Sequence, residues 1–161
     1  MMNAARLETA PAQFVNAQGI KFAYRRFGRA GETPSLFLQH FPGTMDFWDP
    51  AVVNALAEHR TVVVFNNRGV GTSDGETPDN VAQMAVDALQ FILALGLKRI
   101  DLLGYWLGGF IAQKLAGHRP ALVRRLILVG TAPQCLPGCS NTGEVYPGSP
   151  AAAASLSEYI C

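Results

Sequence analysis

The stretch Leu102-Leu103-Gly104-Tyr105-Trp106-Leu107-Gly108-Gly109-Phe110 decides the fold. Its first residues end an apolar run from Arg99 to Leu103 that reads as a buried strand. The helical pattern from Gly109 to Gly117, with Pro120 beyond it, follows without a linker. A strand that turns straight into a helix crowds its neighbours against the backbone, so only small residues fit beside the bend. Glycines stand at 104 and 108, flanking residue 106 symmetrically. Residue 106 then projects at the strand's carboxyl end, beside a helix N-terminus whose first N–H groups are free.

Outward from that turn the chain alternates strand and helix. Towards the N-terminus, Val81, Met84, Ala85, Ala88, Leu89 and Ile92 share one helical face; Thr77-Pro78-Asp79 opens that helix and Gly96 stops it. Thr61 to Phe65 is apolar throughout and β-branched, as in a strand buried on both faces. Pro50 to His59 reads as a helix with Asp49 as N-cap and Pro50 in its first turn. Ser35 to Gln39 is a short strand, and Gln13 to Phe27 reads as a hairpin turning near Gln18-Gly19. Towards the C-terminus, Leu126 to Val129 is a further apolar strand. This order predicts an α/β fold: a mostly parallel sheet of about six strands, helices on both faces, entered through an antiparallel hairpin. In such sheets ligands meet the loops at the carboxyl ends of the strands, here those after Gln39, Phe65 and Leu103.

The spacing around residue 106 is that of the nucleophile elbow, G-x-S-x-G. Leu36 to Pro133 resembles the core of the α/β-hydrolase superfamily, in particular small bacterial esterase-like or peroxidase-like members reading L-L-G-x-S-x-G-G at this place. The resemblance implies an incomplete α/β-hydrolase fold and an inherited hydrolysis of a small ester-like substrate by a serine nucleophile. It puts that nucleophile at Trp106. An indole N–H is a donor without a basic lone pair, so it cannot act as an alkoxide, thiolate or carboxylate does. The loop Gln39-His40-Phe41-Pro42-Gly43 is similar to the family's H-G-F-P-G. The resemblance implies Phe41 and Leu107 as the backbone N–H donors of an oxyanion hole; Pro42 has no N–H to give. Asn66 to Ser73 resembles the family's D-x-R-G-x-G-x-S, with Asn66 at the usual Asp position. Gly69 and Gly71 begin a G-x-G, but Asp74 breaks G-x-G-x-x-G and no G-K-[ST] follows, against a nucleotide site.

In this family the triad runs nucleophile, acid, histidine. After Val129 the 161 residues offer Glu144 and Glu158 and no histidine; the three histidines are His40, His59 and His118. His40 reads as a packed or loop-bracing ring, and the other two sit near helix ends, where they favour the dipole. Ser73 and Ser155 lie in no elbow. His40, Asp46 and Asp49 match no metal-ligand spacing, and neither do Cys135, Cys139 and Cys161. The expectation is therefore no metal and no cofactor. For Trp106 the readings are a ligand platform, a plug of a dead site or a ring packed under a flap, and an artefact, since a serine codon TCG becomes tryptophan TGG by one base change; decay or artefact is expected ahead of an evolved binding role. An indole of on the order of 150–250 Å² would fill much of a small pocket.

Composition excludes other classes. Hydrophobic residues make up 49%, charged residues 16%, and the net charge is +1 without a basic stripe. That disfavours a disordered chain, a nucleic-acid partner and an anionic-membrane patch. The N-terminus lacks a signal-peptide pattern and the apolar stretch Ala88–Leu97 is too short to span a bilayer, so a cytoplasmic protein is expected. Residues 1–133 read as the N-terminal part of a hydrolase core; the Pro/Gly-rich 134–161 reads as a loop or the start of a truncated cap region. On that reading the chain is an inactive pseudoenzyme whose partner is a small-molecule substrate or ligand. The apolar edge Leu126–Val129 would invite self-association, and the helices around Leu89 and Phe110 would lack some of their packing partners.

Overall fold

A computed structural model describes residues 6–31 and 33–133. The cysteines, Glu144, Glu158, Ser155 and the Pro/Gly-rich segment lie outside the described residues. Strands β1 (Gln13–Ala17) and β2 (Ile20–Gly28) form the expected hairpin. Its two turn residues, Gln18 and Gly19, take φ of 53° and 84°, the pairing of positive φ values that a two-residue hairpin turn requires. Then come β3 (Ser35–Leu38), α1 (Pro50–Ala57), β4 (Thr61–Phe65), α2 (Val81–Ala94), β5 (Ile100–Tyr105), α3 (Leu107–His118) and β6 (Val123–Val129).

One six-stranded sheet results, in the order β1-β2-β4-β3-β5-β6. β1, β2 and β4 pair antiparallel; β4, β3, β5 and β6 pair parallel. Helices cover both faces. On one face α1 brings Val53 and Ala57, with Leu7 and Ala10, over Phe37, Val62 and Val64. On the other, α2 and α3 bring Phe91, Ile92, Phe110 and Ile111 over Phe22, Leu36, Val63 and Phe65. Within β4, Val62 and Val64 thus serve one core and Val63 the other, which is why that strand is apolar throughout. Phe65 stacks flat on Phe91 at 4.3 Å between centroids, tying β4 to α2.

Two details differ from the sequence reading. α2 begins at Val81, not at Thr77: extended Asn80 is the N-cap and its Oδ1 accepts from Gln83 N at 2.8 Å. Thr77 is held elsewhere, its hydroxyl donating to the Arg68 carbonyl. α3 starts at Leu107 and runs through Gly117 to His118, whose Nδ1 bonds the Lys114 carbonyl at 2.8 Å at the helix's last turn. Asp49 and Pro50 do start α1, with Asp49 Oδ1 accepting from Ala51 N.

Chain order and spatial order part company at β3. The chain leaves β3 for β4 on one side, then crosses to β5 on the other. That reversal opens a crevice at the carboxyl ends of β3 and β5, where ligands of such sheets bind.

Candidate active site

The turn between β5 and α3 is a single residue. Trp106 takes φ 51° and ψ −113°, a conformation that strains any residue with a Cβ by about 1–3 kcal/mol. Two backbone bonds hold it there: Trp106 N donates to the Val129 carbonyl and Gly109 N to the Trp106 carbonyl, both at 3.0 Å. Its neighbours must be glycine. A Cβ on Gly104 would stand 2.5 Å from the Gly108 oxygen and 2.6 Å from Gly109 Cα. One on Gly108 would run into the Leu38 carbonyl of β3. One on Gly109 would meet the Thr131 side chain at 2.5 Å. The glycine spacing is thus the condition for α3 to lie directly on β5 and β3, which brings the turn to the mouth of the crevice.

From the loop after β3, Phe41 reaches the same place. Phe41, Trp106 and Leu107 line one cavity of about 270 Å³ together with Pro78, Val81 and Met84. The three residues singled out in the sequence are therefore neighbours in space. Among the described residues no protein acceptor takes the N–H of Phe41 or of Leu107. The wall formed by Pro78, Val81 and Met84 was not foreseen; Val81 and Met84 belong to the apolar face of α2, and its first turn extends past the core into the crevice. The indole does not fill the cavity. It stays 42% exposed at the rim, where the positive φ directs it.

His40 is a packed ring. Its Nδ1 lies 2.9 Å from Gln39 Oε1, which also accepts from the His40 N–H. Phe47, Tyr105 and Trp106 meet the imidazole edge-on at 5.7–6.3 Å between centroids. Asp46 binds Arg25 at 2.9 Å and Asp49 caps α1, so the carboxylates nearest in sequence to His40 are engaged elsewhere. Among the described residues no group of three or more His, Cys, Asp or Glu side chains could hold a metal ion.

The loop after β4 is a brace. Asn66 is buried, and its Oδ1 accepts from Met45 N at 2.7 Å, pinning the short turn Met45–Phe47 below Phe41 in the chain's path. Ser73 Oγ donates to the Asn66 carbonyl and accepts from Ala23 N, both at 2.9 Å. Both sides of that hydroxyl are used, which leaves Ser73 no role as a nucleophile. Gly69 N donates to the Asp74 carbonyl, so the glycines fold the loop on itself instead of cradling a phosphate. Arg68 reaches Asp87 of α2 at 3.8 Å.

The strongest electrostatic cluster lies at the opposite end of β5. Asp101 is buried and binds Arg60 at 2.8 Å and Arg124 at 2.6 Å. The hydrogen bond from Arg124 chiefly, with the charges of Arg124 and Arg60, holds its carboxyl below the usual Asp range against the opposing effect of burial. This cluster joins β5 to the strands and turns beside it and is remote from the cavity.

The family model for the alpha/beta hydrolase fold matches residues 34–149. The chain belongs to the α/β-hydrolase family. An alpha/beta hydrolase fold protein from Chitinophaga pinensis superposes with a TM-score of 0.80 at 47% identity, covering 83% of this chain and 48% of that one. "Putative carbamate hydrolase RutD" of Agrobacterium fabrum is 34% identical over 101 residues, 61% of this chain and 38% of that protein. The protein of the same name from Serratia proteamaculans is 38% identical over 93 residues, 56% of this chain and 34% of that protein. The chain therefore spans less than half the length of these relatives. No helix among its described residues is long and apolar enough to cross a membrane.

Proposed function

We propose that this α/β-hydrolase chain keeps the architecture for recognising a small ester-like or carbamate-like acyl compound and lacks the nucleophile for turning it over. One observation carries the proposal: the residue at the strained elbow position, φ 51° and ψ −113°, lining the crevice beside Phe41 and Leu107, is Trp106. The Phe41 and Leu107 N–H groups are the donors for a substrate oxygen. Such donors stabilise an oxyanion only after a nucleophile has attacked, and the indole supplies no electron pair for that attack.

An activated aryl ester, followed by release of its phenol, tests this. The chain of 161 residues should show neither a burst nor steady turnover. Trp106→Ser should remain silent in the same chain, because none of its three histidines serves that position: His40 is braced by Gln39, His59 lies between α1 and the amino end of β4, and His118 caps the far end of α3. Turnover above background by either protein would overturn the assignment.

The open cavity of about 270 Å³ beside a half-exposed indole favours ligand binding as the role that remains. The names of the RutD relatives direct the choice of probe to small carbamates and esters. With Trp48 replaced by Phe, Trp106 is the sole tryptophan, and its emission should shift and saturate on adding such a compound.

A further inference from the structure

Asp87 is an unexpected residue for the packed face of α2. It is 4% exposed and shares that face with Met84, Ala88 and Phe91. Its Oδ1 accepts from Gln83 Nε2 at 3.0 Å. Its Oδ2 faces Arg68 Nη1 at 3.8 Å, an ion pair but too long for a hydrogen bond. Among the described residues neither Asp87 Oδ2 nor Arg68 Nε has a hydrogen-bond partner. A buried pair so loosely bonded adds little stability, because removing the charges from water costs about what their attraction returns. Two apolar side chains would pack the space as well. What the charges add is direction, and we propose that Arg68 and Asp87 are positioning residues for the wall of the Trp106 cavity; this rests on the reading of that cavity as a ligand site.

The segment that follows β4 is wound around Arg68. Gly69 N donates to the Asp74 carbonyl at 3.0 Å. Gly75 lies against the arginine side chain, where a Cβ would stand 2.9 Å from Arg68 Nε and 3.2 Å from its Cγ. Thr77 Oγ1 donates to the Arg68 carbonyl at 3.0 Å. Residues 74–77 therefore follow Arg68, and Asp87 fixes Arg68 to α2. Two cavities meet at the end of this segment. Arg68 and Asp87 line a small one of about 10 Å³, at the limit of what a single water needs, so neither side chain has room to turn away. Thr77, Pro78 and Met84 line both that cavity and the one of about 270 Å³ beside Trp106. These three form a thin wall, with the charged pair behind it and the ligand space in front. Arg68 and Asp87 do not line the ligand space themselves. They act through the wall: a shift of Arg68 carries Thr77 and Pro78 with it and changes the shape of the cavity.

With Trp48 replaced by Phe, the emission of Trp106 reads both the wall and the ligand. Arg68→Met combined with Asp87→Leu fills the same space without charge. The thermal midpoint of this variant should stay at or above that of its parent. Its ligand-free Trp106 emission should shift, and phenyl carbamate should bind it about two- to thirtyfold more weakly, as happens when residues that touch no ligand are changed. An unshifted emission or an unchanged affinity would each overturn the proposal. If the apolar variant does not fold, Asp87→Asn, Arg68→Gln and their combination decide. Asp87→Asn keeps an oxygen for Gln83, and the combination should bind no worse than the weaker single variant. Losses that multiply would show two independent effects and overturn the pairing. Should phenyl carbamate leave the parent's emission unchanged, the ligand reading falls, and the ligand-free emission of the apolar variant still decides whether the ion pair holds the wall.

Discussion

A single methyl group placed at three glycines of α3 and β5 should separate the elbow's close contacts from ordinary helix propensity. At Gly104 the added Cβ would sit 2.5 Å from the Gly108 oxygen, 2.6 Å from Gly109 Cα and 2.8 Å from Ala112 Cβ. Ordinary contact begins at 3.4 Å, so α3 must move by roughly 0.9 Å, and two of the three obstacles are backbone with no rotamer to change. Overpacking of this kind costs about 1–3 kcal/mol, and the backbone obstacles put Gly104→Ala at about 3 kcal/mol. Gly108→Ala meets the Leu38 carbonyl more closely still and should be worse. Gly117 lies in the same helix with nothing within 4 Å and ordinary φ, so Gly117→Ala should stabilise by roughly 0.5–1 kcal/mol. Thermal unfolding followed at 222 nm reads the difference. At about 2–4 °C per kcal/mol for a chain of this size, Gly104→Ala should lower the midpoint by about 6–12 °C, with Gly117→Ala raising it by about 1–4 °C. An unchanged midpoint for Gly108→Ala would refute the claim that α3 is seated directly on β3, and with it the shared cavity of Phe41, Trp106 and Leu107.

Two further outcomes follow from the buried polar groups. Asn66→Ala should destabilise by about 1–3 kcal/mol, since it orphans the buried Met45 N–H, whereas Asn66→Asp keeps the accepting oxygen and should lose much less; equal losses would show that the side-chain amide donor matters instead. Asp101 has a folded-state pKa below its unfolded value of about 3.9, so its contribution is present above that value and is lost as pH falls through the lower folded value. Urea midpoints should therefore decline below about pH 4 in the native chain and decline less in Asp101→Asn, which should be weaker than the native chain at neutral pH; parallel pH profiles would remove Asp101 from that dependence.

The loop after β4 shows how a motif can be read correctly as a pattern and still leave its job undecided. Asn66 to Ser73 was matched to a family loop and denied a nucleotide role because Asp74 stands where a third glycine belongs. The structure adds the positive reason. Gly69 is tied back to Asp74, Asn66 holds Met45 and Ser73 holds Ala23, so these groups fold the loop on itself and brace β2 and the turn before α1. The same holds for His40. Its placement in the loop after β3 was evident, but only the Gln39 amide and the three surrounding rings make it a packed side chain.

By itself the sequence determined the local elements and the one-residue turn between β5 and α3. A strand buried on both faces must be apolar throughout, an amphipathic helix must repeat its apolar residues at helical spacing, and a one-residue strand-to-helix turn must have glycine on both sides. Each rule acts between residues close in the chain, so each is visible as a pattern. Trp106 was legible for the same reason. Tertiary structure alone decided what meets what across the sheet. Because β3 lies between β4 and β5, Phe41 and the first turn of α2 converge on Trp106, while Arg60 and Arg124 converge on Asp101 from 41 and 23 residues away. Such contacts depend on strand order, and strand order has no local period to record it.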